Sequence, residues 1–138
     1  MDPRSVYGEG YTSGSFPTFA FGPNGAYMKV CIRTDGGNTP LETQSDTVIY
    51  DNAWHHMAWI DNVGSAVLYI DGVADTADFS YTPDTMSHLN TASIGAIRST
   101  GGSPGNVWQE FSGSVDDVRA YNSALSGDEV LLLYNRGR

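Results

Sequence analysis

The carboxylates of this 138-residue chain are the side chains whose type and spacing could support hydrolysis. A retaining glycosidase needs an acid and a nucleophile about 5 Å apart. The chain offers no closely spaced pair of glutamates, because its four glutamates are far apart in sequence: Glu9, Glu42, Glu110 and Glu129. Asp116 and Asp117 are consecutive, and neighbours on a regular strand point to opposite faces. No catalytic carboxylate pair is therefore predicted.

Other catalytic motifs also lack their required context. There is no His-x-x-x-His pair for zinc, and no glycine loop followed by a phosphate-binding lysine. Gly101, Gly102 and Gly105 lie in a Ser/Pro loop without the strand–turn–helix context of a nucleophile elbow. We therefore predict that the chain is not an enzyme.

The charge balance argues against two classes of partner. Sixteen acidic residues against seven basic ones give a formal net charge of -9. Nucleic acid and anionic lipid both require clustered Lys and Arg, whereas the basic residues here are scattered. No apolar run approaches the roughly 20 residues of a transmembrane helix. We expect neither a nucleic-acid partner nor a membrane partner.

The sequence is compatible with more than one cellular compartment. The N-terminus lacks a basic patch followed by an apolar stretch, so no signal peptide is predicted. The chain is then either intracellular or part of a protein whose export signal lies elsewhere. Cys31 is the only cysteine, which excludes an internal disulfide. Its apolar run predicts a buried strand residue, with an intermolecular bridge as the alternative.

Turn-forming residues recur along the chain at the spacing that is typical of an antiparallel all-β domain. Asn24-Gly25 predicts a hairpin with a type I′ turn between strands at 18–21 and 26–33. Asp71-Gly72 predicts a second hairpin after a strand at 66–70.

Further strands are predicted from runs of β-prone residues, at 47–50, 54–60, 91–98 and 111–121. Gly95, inside one of these runs, would allow a neighbouring backbone to approach closely. The remaining long segments, the first fifteen residues, 76–90 and 99–106, lack such a pattern. The first of them is expected to be loosely held, and the other two are expected to be loops.

One short helix is predicted near the C-terminus. Ser126 followed three residues later by Glu129 forms a capping box. Val130, Leu133 and Tyr134 would share the apolar face of this helix.

Four segments together resemble the laminin-G-like (concanavalin A-like, pentraxin-related) jelly-roll family: Trp54–Trp59, Leu68–Gly72, Ser93–Gly95 and Phe111–Ser126. The resemblance implies an all-β, antiparallel β-sandwich with a short C-terminal helix. The length of 138 residues predicts a single domain over residues 1–138. Relative to the family, this domain would be shortened at its N-terminus. Family members are mostly non-catalytic recognition modules for sugars or proteins, often extracellular or at the cell surface.

The resemblance also implies roles for the Trp-His-His segment. Trp54 and His56 would be packed and hydrogen-bonded near the core together with Trp59, although all three are tempting as a sugar platform. His55 would be more exposed.

Relatives often hold a structural calcium, and Asp116 is the single metal candidate here. Calcium takes roughly six to eight oxygen ligands. Asp71, Asp75 and Asp78 are spread too thinly to form the acidic loop that usually supplies them. No cofactor is expected to be required beyond this candidate calcium.

Trp108 is the candidate centre of a ligand site, because it follows the 99–106 loop and lies near Asn106 and beside Gln109. Aromatic rings flanked by amides suit sugars, whose C–H faces stack while their hydroxyls need donors and acceptors. The alternative is a tryptophan folded over the end of the sandwich as a plug. Tyr81 and Asp84, on either side of Pro83, are expected to face the same end.

Two functional hypotheses follow. The first is a non-catalytic carbohydrate-binding module that uses end loops including Trp108. The alternative is a structural or protein–protein interaction domain that assembles through a sheet edge or face, as a homo-oligomer or within a parent protein. That alternative predicts an exposed apolar patch around Phe19, Phe21 and Tyr27.

Overall fold

The computed structural model describes residues 4–11, 18–84, 89–98, 107–108 and 110–137. It does not describe the side chains of Arg98, Val107 and Trp108. The described elements are the strands β1 (Tyr7–Gly10), β2 (Thr18–Asn24), β3 (Tyr27–Arg33), β4 (Leu41–Val48), β5 (Met57–Asn62), β6 (Ser65–Ile70), β7 (Val73–Ala74), β8 (Thr91–Ile94), β9 (Ile97–Arg98) and β10 (Val107–Trp108), and the helix α1 (Gly127–Arg136).

Two antiparallel sheets enclose the core. One has the strand order β4-β3-β2-β1-β8 and the other β5-β6-β7, while β9 and β10 form a separate two-stranded ribbon. Alternate residues of β6 are buried, including Leu68 and Ile70, because successive side chains on a strand point to opposite faces. They join Phe21 and Val30 of the larger sheet in one apolar cluster. This architecture confirms the predicted all-β sandwich.

The N-terminal segment is better ordered than predicted. β1 lies inside the larger sheet, paired with both β2 and β8. A Cβ on Gly8 would come within 2.5 Å of Ile97 Cγ1 and 3.3 Å of the Ala96 carbonyl oxygen. The missing side chain of Gly8 therefore lets Ala96 and Ile97 pack directly against β1. Since residues 7–10 form this paired strand, the expectation of a loosely held segment is wrong for them.

Both predicted hairpins form, with one change in turn geometry. Asn24 pairs with Tyr27, so the central turn residues are Gly25 and Ala26, and only Gly25 has a positive φ, of 62°. A positive φ at the first central residue alone fits a type II′ turn better than the predicted type I′ turn. At the β6–β7 turn Asp71 and Gly72 both have positive φ, of 53° and 78°.

Gly95 has a conformational role instead of the predicted steric one. A Cβ placed on it would have no atom within 4 Å, but its φ is 75°. This left-handed conformation divides the predicted strand 91–98 into β8 and β9. Gly95 donates its N–H to the Val6 carbonyl oxygen at 2.7 Å and accepts the Phe111 N–H at 2.7 Å.

The edge strand β4 is longer than predicted and begins earlier. Leu41 and Ser45 are buried, while most of the other side chains are exposed. A register shift opposite Tyr27 and Lys29 interrupts the pairing with β3. Such an irregularity breaks the two-residue alternation from which a strand is predicted, so the polar residues 41–46 carry no strand signal in the sequence.

Residues 111–121 form no strand, in contrast to the prediction. Asp117 has a φ of 51°, which is incompatible with extended backbone. Its N–H is donated to the Asp116 carboxylate at 2.8 Å, and Arg119 donates to the Asp117 carboxylate at 2.7 and 2.8 Å. Local side-chain contacts therefore replace the ladder hydrogen bonds.

The C-terminal helix forms with the predicted capping box. Ser126 Oγ accepts the Glu129 N–H, and the Glu129 carboxylate accepts the Ser126 N–H at 2.8 Å. Val130 is fully buried, and Leu133 and Tyr134 are half-buried on the same face. Cys31 is buried as predicted.

Candidate functional site

Tyr81 is an anchor for the β5–β6 turn and not an open platform. The ring is half-buried, and its hydroxyl donates to Asp61 Oδ2 at 2.6 Å. Burial and the neighbouring Asp61 carboxylate raise the pKa of Tyr81 to about 12. Asp61 Oδ1 also accepts the Gly64 N–H at 2.9 Å, and Gly64 accepts the Tyr81 N–H at 2.9 Å. Tyr81 thus holds this turn through its hydroxyl and its backbone N–H.

The other predicted ligand-binding residues lie on separate elements. Asp84 is exposed and accepts a hydrogen bond from Asn38 Nδ2 at 3.3 Å, in the connection between β3 and β4. Trp108 is in β10, with its backbone opposite Ile97 of β9. Asn106, Gln109 and the side chain of Trp108 lie outside the described part of the chain.

Trp54 is the most exposed aromatic residue in the described part of the chain, with 70% of its surface accessible. The expectation that it packs near the core is wrong, because β5 begins only at Met57. Trp59, inside β5, is the tryptophan that packs, with ring centroids 5.7 Å from Phe21 and 5.6 Å from Phe79. Trp54 and Tyr81 therefore lie at opposite ends of β5, a strand about 17 Å long at about 3.3 Å per residue.

His55 is held between two carboxylates next to Trp54. Its Nδ1 is 2.8 Å from Asp71 Oδ2, and its Nε2 is 3.0 Å from Asp51 Oδ1. The side chain is only 16% exposed, so the expectation of a more exposed His55 is wrong. The hydrogen bond to the Asp71 carboxylate has the largest effect, and together with the one to Asp51 it outweighs burial and raises the pKa of His55.

Further hydrogen bonds fix both carboxylates. Asp71 Oδ1 accepts the His56 N–H at 3.0 Å, and the Asp71 N–H is donated to the His56 carbonyl oxygen at 2.9 Å. Asp51 Oδ1 accepts the Ala53 N–H at 2.9 Å, which lowers the pKa of Asp51 together with the contact from His55. The His55 imidazole therefore joins the segment before β5 to the β6–β7 turn.

Both segments joined by His55 contain left-handed backbone. Asn52 has a φ of 70° and Asp71 one of 53°. Asn and Asp tolerate this region better than other non-glycine residues, because their short polar side chains bond to nearby backbone. The sequence therefore favours two sharp bends beside Trp54.

His56 is packed as the family resemblance implied. Its ring centroid is 5.9 Å from that of Tyr134 on α1. Burial lowers the pKa of His56 despite the attraction of Asp71. Its Nδ1 is buried without a hydrogen-bond partner, so the implied hydrogen bonding is wrong at this atom.

Asp116, the predicted metal candidate, is exposed, and its Oδ1 accepts the N–H of Asp117. Among the described residues, no group of three or more His, Cys, Asp or Glu side chains is arranged to hold a metal ion. The calcium site at Asp116 stays a prediction.

The fold is thus an antiparallel β-sandwich, and the most exposed aromatic residue of its described part, Trp54, lies beside a His–carboxylate cluster. A family model for the concanavalin A-like lectin/glucanases superfamily matches residues 3–131, and the chain belongs to this family. Within the described ranges, no helix is both long and apolar enough to cross a bilayer.

One similar solved structure is that of residues 221–444 of an S-layer domain-containing protein from Clostridium thermocellum. It is 17% identical, with a TM-score of 0.47, and the match covers 96% of the present chain and 63% of that one. The chain therefore spans less than two thirds of the length of that structure. A comparison with curated proteins gives no match.

Proposed function

We propose that this domain is a non-catalytic recognition module that binds carbohydrate against the Trp54 ring. The observation that carries the proposal is the 70% exposure of Trp54 beside polar groups. An indole face offers a flat apolar surface for the C–H face of a sugar. Neighbouring donors and acceptors would orient the hydroxyl groups. Membership of a family that includes lectins supports the same assignment.

The groups next to Trp54 can bind hydroxyl groups. Asp51 has 48% of its side chain exposed and accepts hydrogen bonds in its ionised form. The Asn52 side chain is also exposed and offers both donors and an acceptor. The left-handed conformation of Asn52 bends the chain immediately before Trp54.

The charge of the protein favours a neutral or amino sugar over an acidic one. The formal net charge is -9, and several cations are already paired. Lys29 lies 2.6 Å from Glu42, Arg119 lies 2.7 Å from Asp117, and His55 lies between two carboxylates. A uronate or sulfate group would meet repulsion in addition to its own desolvation. We therefore place neutral glycans first.

Trp108, with Asn106 and Gln109, is kept as a second proposed sugar surface, and Asp84 as a further contact residue. Tyr81 is not included, since its hydroxyl donates to Asp61. Asp116 is kept as the proposed ligand of a structural calcium.

The test is a glycan-array screen of the domain in calcium and again in EDTA, followed by titration of any hit against variants. Trp54→Ala should abolish saturable binding with little change in melting temperature, because the ring is mostly solvated. Leu132→Ala, which truncates a 48% exposed side chain on α1, is the control and should bind normally.

Three other results would change the assignment. Loss of binding in Trp108→Ala but not in Trp54→Ala would move the site to β10. Loss in EDTA would make a metal part of the site. A clean negative in both buffers would reject carbohydrate binding and favour the protein-interaction alternative. The exposed patch predicted around Phe19, Phe21 and Tyr27 is wrong at Phe21, which is buried, with Phe19 packed on it at a centroid distance of 4.8 Å. Assembly through a sheet edge would then be the interface to test.

A further inference from the structure

We propose that His55, as an imidazolium, positions the Trp54 surface by joining Asp51 to Asp71, so that binding there weakens when His55 loses its proton. The part of this proposal that concerns ligand rests on the proposed function. The part that concerns the position of Trp54 does not.

The geometry at His55 requires the charged ring. Both ring nitrogens lie within hydrogen-bond distance of a carboxylate oxygen, at 2.8 Å from Asp71 and 3.0 Å from Asp51. An ionised carboxylate only accepts hydrogen bonds, and a neutral imidazole has a single N–H to donate. Only the imidazolium can donate to both partners. After deprotonation, one nitrogen lone pair would face a carboxylate oxygen, and that contact would open.

The contact with Asp51 is the one expected to open. Asp71 Oδ1 accepts the His56 N–H, and the Asp71 N–H is donated to the His56 carbonyl oxygen; neither bond depends on the protonation of His55. Asp51 is more exposed, its distance to His55 is longer, and within its own segment it accepts the Ala53 N–H. Release of Asp51 would therefore free residues 51–54 to move, including Trp54.

The other charged groups near this cluster act on His56. Asp71 lies between the two histidines, whereas Asp117 and Arg119 act on the adjacent His56 ring, which packs on Tyr134. Burial lowers the pKa of His56, whereas the two carboxylates raise the pKa of His55. The two histidines therefore shift in opposite directions, and following each ring separately tells their effects on Trp54 apart.

The direction of the pH effect follows from the same contacts. The carboxylates of Asp71 and Asp51 raise the pKa of His55 above its ordinary value of about 6.5. The contacts of His55 with both carboxylates are complete below about 6.5. They are lost as the pH rises through the pKa of His55 in the folded protein.

The experiment is an NMR titration of the full chain between pH 5 and 9 that follows the His55 ring and the Trp54 indole N–H. We expect the Trp54 resonance to shift with the same midpoint as His55, above about 6.5. In Asp51→Asn, His55 should titrate at lower pH and Trp54 should no longer follow it. Asp78→Asn, which removes an exposed carboxylate that bonds Ser80, is the control and should behave like the wild type. A Trp54 resonance that stays constant while His55 titrates would overturn the proposal.

Binding is measured separately with a glycan identified on the array. Its affinity should fall about tenfold as His55 deprotonates, the size expected for one charge-assisted contact. In Asp51→Asn the affinity should be lower and independent of pH in this range. Affinity that does not depend on pH in the wild type would overturn the ligand part of the proposal. If no glycan binds at all, the proposed function fails while the NMR titration still decides the role of His55.

Discussion

The carboxylate of Asp75 accepts the backbone N–H of Thr47 through Oδ2 at 2.9 Å. Its Oδ1 accepts the N–H groups of Asp46 at 2.9 Å and Ala77 at 3.0 Å. Thr47 lies on β4, at the edge of the larger sheet, and Asp75 directly follows β7, at the edge of the smaller one. One largely buried side chain therefore joins the edges of both sheets.

Substitution of Asp75 should destabilise the domain. Asp75→Asn keeps the shape of the side chain but directs an amide group at backbone N–H donors that need an acceptor. We expect a loss of about 2–3 kcal/mol in the free energy of unfolding, measured by urea denaturation. Asp78→Asn is the matched control, because Asp78 is exposed and its carboxylate accepts the neighbouring Ser80 N–H at 2.9 Å. Equal losses in the two variants would show that Asp75 does not have this role.

Asp75 should also make the domain sensitive to acid. Burial alone would raise its pKa, but the hydrogen bonds from Thr47, Asp46 and Ala77 outweigh burial and lower it. A lowered pKa in the folded state contributes stability above the unfolded value of about 4, and this contribution is lost as the pH falls through the folded value. Melting temperatures between pH 2 and 7 should fall more steeply below pH 4 in the wild type than in Asp75→Asn. Parallel curves would contradict this prediction.

The features predicted correctly from the sequence depend on residues close together in the chain. Ser126 and Glu129 are three residues apart, and the two form the capping box seen in the structure. Both hairpins form around glycines that directly follow Asn24 and Asp71.

The position of Trp54 could not be predicted in the same way. It depends on where β5 begins, and this is fixed by the pairing of Met57 with Ile70 and by the contact of His55 with Asp71, sixteen residues away. A local signal did exist, because Asp51-Asn52 is a turn dipeptide directly before the Trp-His-His segment. The alternation of residues 54–60 predicted a strand instead.

Stability should also depend on pH on both sides of neutrality, with opposite contributions from the two adjacent histidines. The raised pKa of His55 adds stability below about 6.5 that is lost as the pH rises through the folded value. The lowered pKa of His56 has the reverse effect, because the unfolded chain binds the proton more readily as the pH falls below about 6.5. Maximum stability is therefore expected near neutral pH.

The variant that separates these contributions is His55→Gln. Its unfolding free energy, measured by urea denaturation from pH 5 to 9, should no longer fall on the alkaline side. The rise from pH 5 to neutrality should remain, because His56 is unchanged. An alkaline decline that persisted in His55→Gln would assign the effect to another group.

Val63 is a strained residue whose replacement should stabilise the protein. It lies with Gly64 in the two-residue turn between Asn62 and Ser65, with φ values of 52° for Val63 and 86° for Gly64. A β-branched residue in the left-handed region costs about 1–2 kcal/mol, and Val63 is 83% exposed and so gains little from packing. Val63→Asn should recover about 1 kcal/mol in the free energy of unfolding, since asparagine suits the first position of a type I′ turn.

The control for Val63 is Val73→Asn, which replaces another exposed valine, 68% accessible, in the extended strand β7. Since β-branched residues are favoured over asparagine in strands, this change should be neutral or slightly destabilising. Both variants introduce the same polar side chain at the surface, so a difference between them isolates the backbone conformation. An equal effect on unfolding would show that Val63 is not strained, and the turn would then owe its shape to Gly64 and the hydrogen bond from its N–H to Asp61.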